Sequence, residues 1–444
     1  MVASSASLGT FWTERIIFEI WTNFRLDTSV GVRQLYSGRL TRSCLNTISA
    51  RSDFVRLSEM GALRVRSNHR LEPLLQSLSV RALTVANRFV MSPMTREKSP
   101  GRVPGPDVAQ YYRRRAEGKV GLIVTEGVAI DDPAAVDYHN VPAMHGEDAL
   151  AGWRHVVEQV HAAGGKIFPQ LWHQGAMRDA AISPWPEIGP RRPSGVVGPF
   201  GKASLAAEVV ARISPDTAPM TDSEIGDIIA AYGRSAKYAA TAGFDGIAIH
   251  GGHGYLPDNF LWHGTNHRVD RWGGDHRGRA TFVAELVKEI RSRVGKEMPI
   301  LFRFSQWRMQ DYASRLAETP TELEQLLTPI ADAGVDIFDG SQRYFDTPMF
   351  EGSPLNLAGW AKKLTGKLGM TVGAVGLAET RRDHAPGASD ATDNLDRLVE
   401  RFERGEFDLV AVGRALLNDP DWLGKAIRGE PFLPFDAANL ARLN

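Results

Sequence analysis

Residues 221–250 read TDSEIGDIIAAYGRSAKYAATAGFDGIAIH, and they contain one complete unit of the fold. Thr221-Asp-Ser-Glu224 has the form of a capping box, in which hydroxyl and carboxylate each satisfy a free backbone N–H. Ile225, Ile228, Ile229 and Tyr232 then fall on one helical stripe, and Gly243 ends the pattern. The short apolar run Gly246–His250 follows and reads as a buried strand.

That helix–strand unit recurs from about Leu71 onwards. The spacing predicts strands at Arg88–Met94, Val120–Glu126, Lys166–Trp172, Gly246–His250, Pro299–Ser305, Asp336–Gly340, Thr371–Val375 and Asp408–Val412. Helical patterns are expected over Ala280–Gly295, Thr321–Gly334, Asn356–Gly369 and Leu395–Gly405. Eight strands, each paired with a helix, close naturally into a (β/α)8 TIM barrel, an α/β fold. An open doubly wound sheet is the alternative, but no G-x-G-x-x-G follows the first strand. The Pro/Gly-rich stretch Ala176–Met220 is too long for a simple loop after strand 3 and is expected to pass over the barrel mouth.

Composition narrows the class. Lys plus Arg and Asp plus Glu both number 52 in 444 residues, so no net charge points to nucleic acid or a membrane surface. One cysteine, Cys44, excludes an intrachain disulfide and any Cys-based metal cluster. It fits a reducing compartment, and a cytoplasmic location is expected. No apolar run is long enough for a transmembrane helix. Residues 1–70 carry ten Arg, five acids and no Lys, without a sustained period. The acids count against a transit peptide. The expectation is an N-terminal extension over 1–70, a disordered tail or the product of a start upstream of Met60, before a barrel domain over 71–444.

In such barrels the active site forms where strands end and loops begin. Those ends carry Pro93-Met94-Thr95-Arg96, Thr125-Glu126-Gly127, Gln170-Leu171-Trp172-His173, His250-Gly-Gly-His253-Gly-Tyr255, Arg303-Phe-Ser305, Gly373-Ala-Val-Gly376 and Gly413-Arg414. Glycines after strands 7 and 8 suit a phosphate, with Arg414 as a forked donor, although they also read as plain turn formers. Arg303 lies in an apolar strand and needs a polar partner. A flavin's N1–C2=O edge would serve, as would an acid such as Glu126 or Asp339.

Taken in order, these motifs resemble the old yellow enzymes, FMN-containing ene-reductases. The resemblance rests on Asn87–Arg96, Thr125-Glu-Gly127, Gln170-Leu-Trp172, His250-x-x-His253-Gly-Tyr255-Leu, Gly413-Arg414 and Leu416-x-x-x-Pro420, and covers about residues 71–444. It implies FMN as cofactor, NADPH or NADH as reductant, and a small activated alkene as substrate. Pro93, Met94, Thr95 and Gly127 would lie against the flavin, with Thr95 on O4. Gln170 and Arg303 would hold its pyrimidine edge. Gly376, Gly413 and Arg414 would bind its phosphate. His250 and His253 would grip the substrate carbonyl, Tyr255 would donate a proton, and Trp172 would orient the substrate.

His253 stands where many members have Asn, and Trp262-His263-Gly264 and Trp272 depart from the family pattern in a way expected to alter the pocket outline. The chemistry agrees with those roles. Hydride arrival at the β-carbon builds negative charge on the carbonyl oxygen, which two imidazole N–H groups stabilise. A phenol stays protonated at neutral pH and can supply the α-proton. The rival readings are a non-catalytic flavin-binding barrel, as sensor or store, and a His-ligated metal-dependent hydrolase. The sequence leaves monomer and homodimer both open.

Overall fold

A computed structural model describes residues 69–202, 205–378 and 391–444. The extension expected over 1–70 lies, except for its last two residues, outside them. The described chain opens with an antiparallel hairpin, β1 (Leu78–Val80) and β2 (Leu83–Val85). It continues through β3 (Phe89–Met91), β4 (Leu122–Ala129), β5 (Ile167–Trp172), β6 (Ile247–His250), β7 (Ile300–Ser305), β8 (Ile337–Ser341), β9 (Leu368–Val372) and β10 (Leu409–Val412). Strands β3 to β10 run parallel and close as a barrel in sequence order, with Val410 opposite Phe89 and Val412 opposite Met91. This is the expected (β/α)8 barrel.

Period-two alternation separates two cores. Val90, Leu122, Val124, Phe168, Ala248, Leu301, Ile337, Met370, Leu409 and Ala411 form one cluster inside the barrel. Their neighbours, such as Phe89, Ile123, Ile167, Ile249, Phe302 and Phe338, join the larger cluster beneath the helices. The hairpin adds Leu83 and Val85 to the inner cluster. Three-residue strands are too short to announce themselves by alternation, so the sequence did not reveal this plug.

The helices form for the reasons their sequences give. Asp222–Thr241 begins at Thr221 with both arms of the capping box made, and Pro320–Asp332 repeats the device with Thr319 and Glu322. Leu357–Thr365 is capped by Asn356 and closed by Gly366 in the left-handed region.

Three strands depart from their expected ranges by more than one residue: the first is Phe89–Met91 against Arg88–Met94, the second Leu122–Ala129 against Val120–Glu126, and the seventh moves as a whole. The seventh barrel strand is Leu368–Val372, three residues before Thr371–Val375. Gly373 (φ 136°) and Ala374 (φ 51°) end it, because extended pairing needs negative φ. The excursion after β5 is ordered by buried Arg192, whose guanidinium donates to the carbonyls of Pro215 (2.7 Å) and Ile213 (2.5 Å).

Candidate active site

The inward-facing positions change character two residues beyond the apolar layers. Val90 leads to Ser92, Phe168 to Gln170, Ala248 to His250, Leu301 to Arg303 and Ile337 to Asp339. His250 pairs with Arg303, and Arg303 with Asp339, at one level of the sheet. The polar layer is therefore the top of the same stripe that builds the inner core. Arg303 donates from Nε to Asp339 Oδ2 (2.5 Å) and from Nη2 to Ser92 Oγ (2.9 Å). Asp339 is thus the acid that the buried guanidinium requires, one of the partners left open by the sequence. Burial raises the Asp339 carboxyl, with Arg303 opposing. Gln170 Nε2, His250 Nδ1 and Asp339 Oδ1 are buried without a hydrogen-bond partner among the described residues. Unpaired buried polar atoms are costly and need a reason. A ligand with its own donors and acceptors supplies one.

The histidine turn is held from below. A Cβ at Gly251 would come within 2.2 Å of the Phe302 ring, so the turn requires glycine there. His253 adopts φ 66°, uncommon for a residue with a side chain, and its N–H donates to Ser305 Oγ (2.9 Å). Its ring stacks on Trp307 (4.3 Å between centroids, 19°), and Nε2 lies 2.8 Å from Ser341 Oγ. His250 meets His253 edge-on at 5.1 Å and Tyr255 at 4.6 Å, while Tyr255 meets Trp172 at 5.1 Å. The three proton-handling side chains and Trp172 share one cluster.

Burial decides their protonation. It drives His250 well below its ordinary range, with His253 and Arg303 adding to the effect. It takes His253 down to about 3, aided by Arg303 and Arg308. Both rings are neutral at pH 7, so each carries one N–H. His253 can offer that proton from Nδ1 only if Ser341 donates into Nε2, an arrangement the short Ser341 contact permits. Burial raises the Tyr255 phenol, and the phenol is un-ionised.

The remaining positions lie around the rim. Thr95 is exposed, while Pro93 and Met94 are half-buried. A Cβ at Gly127 would sit 2.5 Å from the Trp172 indole, so that glycine makes room for Trp172. Gly413 begins the short helix Arg414–Asn418, and Arg414 makes no ion pair among the described residues. The Gly376 N–H donates to Asn394 Oδ1 (3.0 Å), so it is already engaged within the chain. Trp262 lies under the Arg308 guanidinium (4.4 Å), and Trp272 donates to Asp222 (2.6 Å). Both indoles are thus engaged within the chain.

Sequence reasoning missed Glu126 as a positioning group. Its Oε2 accepts the backbone N–H groups of Arg96 (2.8 Å) and Glu97 (2.9 Å), which fixes the segment bearing Thr95. The signal was available: a carboxylate in a strand buried along its whole length. Burial raises Glu126 to about 7 against the pull of those two N–H groups. Between about pH 5 and 7 the folded carboxyl keeps its proton while the unfolded one has lost it, so stability falls as pH rises through that window. Thermal midpoints of the wild type should therefore drop relative to Glu126→Gln from pH 5 to pH 8. Parallel midpoints across that range would refute the assignment.

A family profile described as NADH:flavin oxidoreductase / NADH oxidase matches residues 73–431. The chain is 30% identical to chanoclavine-I aldehyde reductase of Penicillium roqueforti, over 82% of this chain and 92% of that protein. It is 29% identical to 12-oxophytodienoate reductase 7 of Oryza sativa subsp. japonica, over 79% and 86%. Morphinone reductase, solved in complex with tetrahydroNAD, superposes with a TM-score of 0.67 at 26% identity, covering 83% of this chain and 93% of that one.

Proposed function

The chain belongs to the NADH:flavin oxidoreductase / NADH oxidase family, the old yellow enzymes, and from that premise we propose that it reduces the C=C bond of α,β-unsaturated carbonyl compounds. Membership makes it an FMN-dependent oxidoreductase that uses NAD(P)H. The chain's own residues fit the cofactor. Gln170 Nε2 is an unpaired buried donor, and Arg303 presents a guanidinium in the same layer. Arg414 and the Gly413 backbone would take the phosphate. When bound, FMN supplies two-electron chemistry, accepting a hydride from NAD(P)H and passing it to the substrate β-carbon.

The protein's part is to receive the charge and the proton. His250 and His253, neutral and each with one N–H, would grip the carbonyl oxygen as negative charge builds there. Tyr255, un-ionised and edge-on to His250, would deliver its phenolic proton to the α-carbon. Trp172 walls the same cluster and would orient the alkene.

The observation that carries this reading is the convergence of two imidazoles and one phenol, with ring centroids at 5.1 and 4.6 Å. Anaerobic addition of NADPH or NADH to the purified yellow holoenzyme tests it. Bleaching by the reductant, followed by recovery of colour on adding an enone, is the expected result. Protein that bleaches and recovers only with oxygen would support the non-catalytic flavin-binding reading and overturn this one.

A further inference from the structure

The wall of the site beyond His253 is built from the loops after β7 and β8. Trp307 stacks on His253 at 4.3 Å, and Tyr312 leans on Trp307 at 5.1 Å. The Arg343 guanidinium lies over the Tyr312 ring at 4.2 Å and 5.8 Å from the Trp307 ring. Its backbone is fixed on the N-terminal side. Ser341, two residues earlier, contacts His253, and the Gln342 side chain bonds Leu357 N–H (2.7 Å) and the Thr347 carbonyl (3.1 Å).

Arg343 makes no ion pair among the described residues, and the nearest acid along the chain, Asp346, is paired with Arg397 at 2.9 Å. Arg414, a charged neighbour of Arg343, has the same sign. A guanidinium held over an aromatic ring by its carbon can turn its edge donors to a paired contact with an oxyanion. The Arg343 side chain is directed along the Trp307–Tyr312 wall, which leads to His253. Arg414, which would grip the cofactor phosphate with the Gly413 backbone, approaches it from the end of β10.

We propose that Arg343 is a specificity-determining residue: it receives an anionic group, a carboxylate, carried by the alkene substrate about one ring's width from the conjugated carbonyl. The aromatic wall of Trp307 and Tyr312 accommodates the intervening ring, and the carbonyl oxygen goes to His250 and His253. This inference rests on the reductase reading above.

The test uses the FMN holoenzyme with 4-[(E)-3-oxobut-1-enyl]benzoate and its methyl ester, which differ only at the remote carboxyl. The wild type should favour the acid over the ester in kcat/KM by about fivefold, the size of an exposed charge pair, with the difference in KM. Arg343→Ala should erase that ratio, and Arg343→Lys should keep part of it. An unchanged ratio in Arg343→Ala would overturn the proposal. So would loss of FMN from that variant, or a rise in KM for NADPH but not NADH, since the guanidinium would then serve a cofactor phosphate. Reduction of the ester without preference for the acid sinks this inference alone, whereas failure of both compounds sinks the reductase reading and this inference with it.

Discussion

Replacing Tyr255 with Phe is expected to slow enone turnover by about 10²–10³-fold while leaving reduction of the flavin by NAD(P)H largely unchanged. The substitution is well suited to isolating one atom. The Tyr255 ring is held edge-on by Trp172 and His250, contacts that a phenyl ring retains. Among the described residues its hydroxyl meets only the Met309 thioether, at 3.4 Å, a weak acceptor that leaves little behind unsatisfied. What disappears is the acidic proton. Burial raises the phenol, so ionisation of Tyr255 should not limit turnover anywhere between pH 6 and 9. The histidines, both lowered, stay neutral across the same range. Stopped-flow measurement of the two half-reactions separates the possibilities. Equal losses in both, or full activity with an enone, would remove Tyr255 from the role of proton donor.

The fold was legible because its signals are local and repeat. The Thr221 capping box, the stripe behind it and the buried run at Gly246–His250 each follow from a few adjacent residues. Where a whole strand slipped, at Thr371–Val375, the apolar run continued past the point at which Gly373 and Ala374 turn the backbone. Hydrophobicity measures burial, and Val375 is buried outside the sheet as surely as Met370 is within it.

The site was legible in outline for a different reason. Strand alternation carries each inner apolar residue to a polar one two positions on, so Gln170, His250 and Arg303 can be read from a single strand apiece. What holds them cannot be chosen from a single strand, and the sequence left Asp339 as only one candidate for Arg303. Asp339 is 36 residues from Arg303, and Ser341 is 88 from His253. Such partners are set by strand order and register, which emerge only on closing the barrel. Glu126 holding the Thr95 segment is another tie of this kind, spanning 30 residues.

Asp258→Ala is expected to lower the folding stability by about 3–5 kcal/mol, the range for removing one half of a buried ion pair. Asp258 and Arg308 are both fully buried and lie 2.8 Å apart, joining the helix Leu256–Leu261 to the loop after β7. The other carboxylate oxygen accepts the Gly254 N–H at 2.8 Å, between His253 and Tyr255. In the Ala variant Arg308 stays under the protein with its charge uncompensated, pressed against Trp262.

Chemical unfolding of the single variant beside Asp258→Leu/Arg308→Met separates charge from packing. If the stranded guanidinium is the main cost, the double variant, apolar and of similar volume, should recover most of the loss. If it remains as unstable as Asp258→Ala, the bond to Gly254 matters more than the charge and this account of the pair is wrong. Both variants lose the Gly254 acceptor, so enone kcat/KM should fall in each, even where stability is restored. That split follows from the two jobs of one carboxylate: one oxygen neutralises Arg308, and the other fixes the turn that aims His253 and Tyr255.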